Sequence, residues 1–530
     1  MRRVLAGKTG FSSPPCADEL LEALDVLHAP SKNPSKDSRL SDGAVDSRNK
    51  KKQGCCNAEE TLPPRASSSC RIITQRTGFE LLGDQGLQRK KIGRIKLAVS
   101  YTPQQRSASG RSTVGAATRF YAKKNILKKS ILLERVKMKL IIFFCLVCHG
   151  VALASASGTY NVMDFGAKAN GVTDDSQAFL AAWKRACSSS GQTKVWVPVG
   201  TYFLNPVEFS GPCPDVQNLI FHFQGTVKAS TDLDKFKQTR GWVAFVLVDH
   251  LTLTGGGTFN GQGEVSWPSA ECPKQKDCTP LPSSLSFSYT NNTIVKDITS
   301  INSKFFHVVL IGCNNFQGSW ITIKAPWNSP NTDGIHLESS SGVTISNSNI
   351  GTGDDCVSIG QGNSFVTISE ITCGPGHGIS VGSLGRYTYE KDVKHLIVRD
   401  STFIGTVTGA RIKTWANSPI QTTAQNITFD NLIMKNVGYP ILIDQTYCPY
   451  PNCEYSVPSR VQLRDVTFKD IRGTVQYREA ITLKCSKGLP CQVVKLDNVN
   501  LQSSDTHTIV TVCVNAHVIY SGQINPARCN

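Results

Sequence analysis

The chain has 530 residues, of which 40% are hydrophobic and 18% charged, so it can build a large folded domain and is not disordered throughout. Its formal net charge of +17 raises the question of a nucleic-acid partner. Most of that charge lies in residues 1–137, with 27 basic and 12 acidic side chains, whereas residues 138–530 carry 30 and 28. A basic surface over the whole protein is therefore excluded, and we predict no nucleic-acid partner.

Residues 1–137 form a basic, low-complexity segment. They contain runs such as SKNPSKDSRL and QRSASGRSTVG, without a sustained helical or strand period. Such a composition does not bury a core, which predicts disorder. We expect Met138 to be the true start and the preceding segment to be a gene-model artefact. The alternative is a genuine basic extension.

Residues 138–156 have the pattern of a secretory signal peptide. MKLIIFFCLVCHGVALASASG places a lysine before a short apolar run and ends in small residues, with an A-x-A-like cleavage site at 154–156. The apolar run is too short for a stable membrane span. We therefore predict a secreted, extracellular protein whose mature chain, residues 157–530, begins near Ser157.

A single amphipathic helix is predicted early in the mature chain. TDDSQAFLAAWKRACSSSG offers Thr173 or Asp174 as the N-cap and Gly191 as the terminator. A helix at this place suits a cap over the open end of a stack of strands.

After residue 250 the chain shows short β-branched runs that recur about once every 30 residues. A unit that small cannot bury both faces, but stacked units share one core. We therefore predict an all-β right-handed parallel β-helix with a short N-terminal capping helix. An antiparallel sandwich is disfavoured because hairpin signals are scarce. The runs align on Val343, Val366, Leu396, Ile427, Val461 and Val494.

The cysteines are typical of a secreted protein, since the 19 include several close pairs. A zinc site is disfavoured because the spacings are scattered. The apolar context of Cys313 makes it the candidate free thiol. Sequons at Asn291 and Asn426 are candidate glycosylation sites. The candidate disulfide residues are Cys272 with Cys278, Cys448 with Cys453, Cys485 with Cys491, Cys513 with Cys529, Cys356 with Cys373, and in addition Cys187 and Cys213.

Three carboxylates and an imidazole recur at the spacing of one coil. Asp333 lies in NTDG, Asp354 and Asp355 in GTGDDC, and His377 in GPGHGIS. Stacked coils would align them, with a bulge at the glycines of GTGDDC bringing both adjacent aspartates into one groove. Clustered carboxylates supply a protonated acid beside an ionised base, as glycosidic cleavage requires. Taken alone, such a pair is more often a solvated turn or a calcium ligand.

A fourth cluster, ARIKT, supplies two cations. Arg411 and Lys413 are two residues apart on a short strand, so they should face the same way. Cations beside the acids fit a substrate that itself carries carboxylates. On its own an Arg-x-Lys pair is commonly a solvated face, and only the register of four clusters favours function.

In this order and spacing, NTDG, GTGDDC, CGPGHGISVGS and RIKTW resemble the four motifs of the polygalacturonases, glycoside hydrolase family 28. Residues 160–179 resemble the N-terminal segment of the plant members. IDQTYCPYPNC and KCSKGLPC are similar to the pollen-type exopolygalacturonase branch. The resemblance runs from about Tyr160 to the C-terminus and leaves residues 1–137 uncovered.

The resemblance implies an enzyme that hydrolyses α-1,4-galacturonosidic bonds of cell-wall pectin with inversion, without metal or cofactor, as a monomer. Exo action is favoured over endo action, and rhamnogalacturonan or xylogalacturonan stays open as substrate. Two other classes of protein are alternatives to this hydrolase. A pectate lyase would use calcium, and a non-catalytic wall-binding β-helix would lack one of the acids. By motif, Asp354 would be the general acid, Asp333 and Asp355 would activate water, His377 would assist the acid, and Arg411, Lys413 and Tyr447 would bind substrate.

Overall fold

The computed structural model describes residues 132–142, 158–239, 241–270, 279–450, 453 and 455–529. Residues 132–142 form a helix with exposed side chains, which continues across the predicted boundary at Met138. The rest of the two predicted N-terminal segments lies outside the described residues, so those boundaries stay predictions. No helix within the described ranges is long and apolar enough to cross a membrane.

From residue 158 the described part of the chain is built of short strands, with one α-helix near its start. The elements are β1 (Gly158–Asn161), β2 (Asn170–Asp174), α1 (Ser176–Cys187), β3 (Gly191–Val197), β4 (Thr201–Leu204), β5 (Val207–Ser210), β6 (Val216–Phe223), β7 (Thr226–Ala229), β8 (Val243–Val246), β9 (Leu251–Thr254), β10 (Thr258–Asn260), β11 (Leu285–Ser288), β12 (Asn291–Ile301), β13 (Val308–Ile311), β14 (Asn314–Lys324), β15 (Ile335–Glu338), β16 (Ser341–Gly351), β17 (Val357–Ile359), β18 (Ser364–Cys373), β19 (Ile379–Leu384), β20 (Val393–Ile404), β21 (Thr408–Trp415), β22 (Thr422–Val437), β23 (Tyr439–Tyr447), β24 (Val461–Val475), β25 (Glu479–Lys484), β26 (Cys491–Ser503), β27 (Val510–Val514) and β28 (Ala516–Asn525). Short 3-10 helices cover Val162–Phe165, Leu233–Phe236, Gly263–Val265 and Trp267–Ser269.

The strands form two parallel sheets, one of seventeen strands and one of eleven. The larger sheet contains the even-numbered strands from β12 to β28, and the smaller sheet the odd-numbered strands from β11 to β27. Each strand pairs in parallel with the equivalent strand of the next coil, as β15 does with β17 and β17 with β19. Parallel crossovers are right-handed almost without exception. The predicted right-handed parallel β-helix is confirmed.

Ladders of apolar side chains fill the interior of the helix. The register differs from the sequence prediction in one coil, where Ile427 pairs with Val466 rather than with Val461, and Val466 then pairs with Val494. The physical reason is aromatic stacking, because this register places Phe429 and Phe468 face to face with ring centroids 5.2 Å apart. The earlier positions pair as predicted, namely Val343, Val366, Leu396 and Ile427.

Helix α1 caps the apolar core near the N-terminal end, as predicted. Its Trp183 is buried, and the indole ring packs against Phe209 at 5.0 Å and Phe245 at 5.7 Å between centroids. The indole N–H donates to the Ser210 carbonyl at 3.0 Å. The helix therefore covers the first coils with a large aromatic side chain whose polar atom is satisfied.

The predicted ends of this helix were wrong by one to three residues. The N-cap is Asp175, and the carboxylate of Asp174 instead accepts the N–H of Ser176 at 3.0 Å. The C-cap is Ser188, while Gly191 begins β3. At the N-terminal end the Asp175 carboxylate accepts the N–H groups of Lys168 and Ala169, and the Asp174 carboxylate accepts from the Asn205 amide. At the C-terminal end the last helical residue, Cys187, is held by its disulfide to Cys213.

Candidate active site

The candidate catalytic side chains lie in three stacked turns, each leading into a strand of the smaller sheet. Asp333 precedes β15, Asp354 and Asp355 precede β17, and His377 precedes β19. Because these strands pair in register, Asp333, Asp355 and His377 take the same position in successive coils. Neighbouring parallel strands are about 4.8 Å apart. The side chains that the sequence placed together are therefore together in space.

The two adjacent aspartates lie in a turn instead of in a bulged strand. Strand β16 ends at Gly351 and β17 begins at Val357, so strand alternation does not apply to Asp354 and Asp355. A Cβ at Gly353 would lie 2.0 Å from the Ser329 carbonyl oxygen of the preceding coil. The glycine is needed because the two turns touch there, and this contact replaces the predicted bulge.

Asp354 forms a direct hydrogen bond with His377. Its Oδ1 lies 2.8 Å from Nδ1 of His377 and also accepts the N–H of Asp355 at 2.9 Å. Burial by itself raises the pKa of Asp354, but the charge and the hydrogen bond of His377 bring it below the ordinary 3.8. In the free site the Asp354 carboxylate is thus the ionised partner of this hydrogen bond.

Asp333 is shifted in the opposite direction. It is 3% exposed, and its burial, followed by the charges of Asp354 and Asp355, raises its pKa well above 3.8. Asp333 therefore keeps its proton to a higher pH than Asp354 does. A carboxyl with a raised pKa beside one with a lowered pKa is the general arrangement that acid–base catalysis requires, although the raised pKa belongs to Asp333 and not to the predicted acid, Asp354.

We expect the Asp333→Asn variant to be more stable than the wild type at neutral pH. Because the folded-state pKa is above the unfolded value, the free energy of unfolding falls as pH rises from about 3.8 through the folded-state pKa. The neutral amide removes this fall in the free energy of unfolding. Tm should rise on the order of 2 °C for each kcal/mol by which the free energy of unfolding increases. Thermal melts at pH 4 and pH 7 test this, and equal Tm differences at the two values would contradict it.

Asp355 is held by cations from a strand two coils on. Arg411 Nη2 donates to Asp355 Oδ1 at 2.6 Å, and Arg411 Nε donates to the Ser380 hydroxyl at 2.7 Å. That hydroxyl donates in turn to Asp355 Oδ1 at 2.8 Å. Lys413 Nζ lies 3.3 Å from the other carboxylate oxygen. As predicted, Arg411 and Lys413 face the same way, towards the acids.

Lys413 joins the acids to the predicted substrate tyrosine. Its Nζ lies 5.0 Å from the ring centroid of Tyr447, within the range of a cation–π contact. Burial and the charge of Arg411 lower the pKa of Lys413, but the nearby carboxylates and Tyr447 raise it by more, so that the result is a pKa of about 12. The ammonium is therefore charged at any working pH.

Sequence reasoning missed three side chains near the cations. Ser380 bridges Arg411 and Asp355, Trp415 packs against Tyr447 at 5.4 Å between ring centroids, and the Arg386 guanidinium lies 5.1 Å from the Trp415 ring. Ser380 and Trp415 lie inside two of the four motifs, so their proximity to charged residues was a usable signal. Arg386 lies in a loop without any motif, and only the folded chain brings it here.

The cluster contains enough donors for a metal ion, since ligand atoms of Asp354, Asp355 and His377 lie within 4.8 Å of one another. The donor chemistry argues against one. Arg411 and Lys413 already neutralise Asp355, and two buried cations at hydrogen-bond distance would repel a third. The arrangement therefore favours acid–base chemistry without a metal.

The other predicted residues lie away from this cluster, except for one disulfide. Cys356–Cys373 joins the residue after the aspartates to the end of β18 in the next coil, and Cys313 is buried and free. Asn426 is exposed and Asn291 is half-buried, and both stay candidate glycosylation sites. Cys272 and Cys278 lie outside the described residues. The further disulfides join Cys187 to Cys213, Cys448 to Cys453, Cys485 to Cys491, and Cys513 to Cys529.

The chain matches one protein family over most of the folded part. The profile described as "Glycosyl hydrolases family 28" matches residues 187–522. An exopolygalacturonase from Platanus acerifolia is 44% identical over 374 residues, covering 70% of this chain and 98% of the relative. An exopolygalacturonase from Zea mays is 41% identical over 400 residues, covering 74% and 97%. These relatives are matched along nearly their whole length.

Solved structures show the same fold at lower identity. An exopolygalacturonase from Thermotoga maritima is 19% identical with a TM-score of 0.55, covering 69% of this chain and 92% of that structure. A polygalacturonase from Erwinia carotovora is 24% identical with a TM-score of 0.55, covering 69% and 96%. At this identity the likeness concerns the fold alone.

Proposed function

The chain belongs to glycosyl hydrolases family 28, and from this membership we propose that it is a polygalacturonase that hydrolyses α-1,4-galacturonosidic bonds of pectin. The observation that carries the proposal is the stack of Asp333, Asp355 and His377 in successive turns, with Arg411 and Lys413 directed at the acids. The carboxylates supply acid and base. The two cations suit a sugar that carries its own carboxylate.

In the proposed mechanism Asp354 protonates the leaving glycosidic oxygen, while Asp333 and Asp355 hold and deprotonate the attacking water, giving inversion. Asp354 must then be protonated and Asp333 ionised when substrate is bound, which reverses the order of their pKa values in the free site. Substrate favours this exchange, because the glycosidic oxygen accepts a hydrogen bond only from a protonated acid. The water in turn donates to an ionised Asp333.

Substrate carboxylate also changes the balance of charge. A galacturonate that binds Arg411 and Lys413 competes with Asp355 for the same N–H donors. The two cations then neutralise the charge of Asp355 less completely, and a less neutralised carboxylate favours a protonated Asp354 next to it. The hydrogen bond from His377 orients the Asp354 carboxyl. Tyr447, beside Lys413, is proposed to contact the same sugar.

Product analysis on polygalacturonic acid tests the function. We expect new reducing ends without the ultraviolet absorbance of an unsaturated sugar, and monomer from the first time points, because the relatives named exopolygalacturonase favour exo action. A ladder of shortening oligomers would mean endo action. Unsaturated products that depend on calcium would identify a lyase, and no product from homogalacturonan would contradict the proposal.

We also propose that the protein acts outside the cell, in the wall, as a monomer. The signal-like pattern of residues 138–156 supports the extracellular location, as do the five disulfides of the described chain, because such bonds persist in oxidising compartments. N-terminal sequencing of secreted material should give a start close to Ser157. Peptides from residues 1–137 in that material would contradict the proposed start.

A further inference from the structure

An open pocket of about 530 Å³ lies on the same line of turns as the catalytic acids, towards the C-terminal end of the helix. His377, in the turn before β19, and Thr408 and Tyr439, the first residues of β21 and β23, take the same position in successive coils. Tyr439 is thus two strand spacings, or about 10 Å, from His377. The pocket is an open depression of the surface and not an enclosed cavity. The pocket is lined by Tyr439, Gln476, Tyr477, Arg478, His507 and Thr508.

The lining combines aromatic faces with polar groups. The rings of Tyr439 and Tyr477 have centroids 5.0 Å apart and are tilted by 55°, so they form an angled wall instead of a flat surface. Gln476 and Thr508 add an amide and a hydroxyl. Aromatic faces pack against the C–H face of a sugar ring, and amides and hydroxyls bind its hydroxyl groups. The lining of the pocket therefore suits a carbohydrate.

Arg478 makes the pocket suitable for an acidic sugar. Its side chain is exposed and forms no hydrogen bond or ion pair with any residue of the described ranges. Two acids are close to the lining residues in sequence. Asp505 is engaged by His507 and Ser503, and Glu479 lies near Tyr439, whose pKa is raised by burial and by the charge of Glu479. The guanidinium is left as a planar donor that can take a carboxylate with two parallel hydrogen bonds.

We propose that this pocket is a distal subsite that binds a galacturonate residue of the substrate chain beyond the sugars at the cleaved bond. The inference rests on the proposed function and adds a site that only longer substrate chains reach. The order of residues supports it. Along the helix the acids come first, then Arg411 and Lys413 on β21, and then the pocket, formed by the first residue of β23 and the turns before β25 and β27. A chain lying along this line passes from the acids to Arg478.

The test is the dependence of KM on substrate length. For Arg478→Gln and for Tyr477→Ala we expect KM to rise about five- to tenfold on long oligogalacturonates, with kcat unchanged. Digalacturonate has only one sugar on each side of its cleaved bond, so it is too short to extend from the acids to the pocket. On this substrate KM should stay at the wild-type value. The matched control is Arg464→Gln, since Arg464 is an exposed arginine on β24 of the larger sheet, away from the line of turns.

The outcomes separate the two proposals. A wild-type enzyme that releases no galacturonate from any oligomer would overturn the proposed function and the subsite together. A wild type that is active, with Arg478→Gln indistinguishable from it at every length, would overturn the subsite and leave the function intact. An equal rise of KM on short and long substrates would also overturn the subsite, because the side chain would then act at the cleaved bond.

Discussion

The Asp354→Asn variant is expected to lose about 10²–10⁴-fold in kcat, the usual contribution of a positioned general acid, with KM changed much less. The amide has nearly the shape of the carboxyl and can still meet His377, so the site keeps its geometry. It cannot, however, deliver a proton to the leaving oxygen. Because that oxygen gains charge mainly in the transition state, the loss falls on kcat. Initial rates over a range of polygalacturonate concentrations give both constants.

The control for this variant is Asp215→Asn, which changes an exposed aspartate far along the chain from the turns of the site. It should keep wild-type kcat and KM. If Asp354→Asn retained more than about a hundredth of the wild-type kcat, the acid would have to be another carboxyl. Asp333 would be the first choice, because it already carries the raised pKa in the free site.

The Lys413→Ala variant is expected to raise KM by about 10- to 100-fold, which corresponds to the roughly 1.5–3 kcal/mol of a hydrogen bond to a charged group. The ammonium holds a substrate carboxylate in the ground state and the transition state alike, so kcat should change less than KM. Arg411 stays in place and keeps Asp355 paired. Kinetics on polygalacturonate provide the measurement.

Methyl-esterified substrate makes this test specific to charge. The wild type should prefer free carboxylates, and Lys413→Ala should lose part of that preference, because an ester offers no charge for the ammonium to bind. Lys495→Ala, an exposed lysine on β26 of the larger sheet, is the control and should keep the preference. A large fall in kcat at unchanged KM would assign Lys413 to the chemical step instead of to binding.

The sequence by itself predicted the architecture and which residues come together in the candidate site. Coil-length repeats of β-branched residues predict stacked parallel strands, because a unit of about 30 residues buries its faces only against its neighbours. Residues separated by one coil become neighbours in such a fold, so the spacing alone was enough to place Asp333, Asp355 and His377 together. The shared direction of Arg411 and Lys413 followed from strand alternation in the same way.

Only the tertiary structure decided how those groups interact. The Val466 register depends on a stack between aromatic rings of adjacent coils, and the turn that carries Asp354 depends on a backbone contact at Gly353. The order of the two pKa values depends on burial and the neighbouring carboxylates, which raise the pKa of Asp333, and on the charge and hydrogen bond of His377, which lower that of Asp354 despite its burial. The pocket at Arg478 arises from loops without a motif. The spacing of the repeats along the sequence determines which residues become neighbours. Electrostatics and close packing depend instead on distances that exist only in the folded chain.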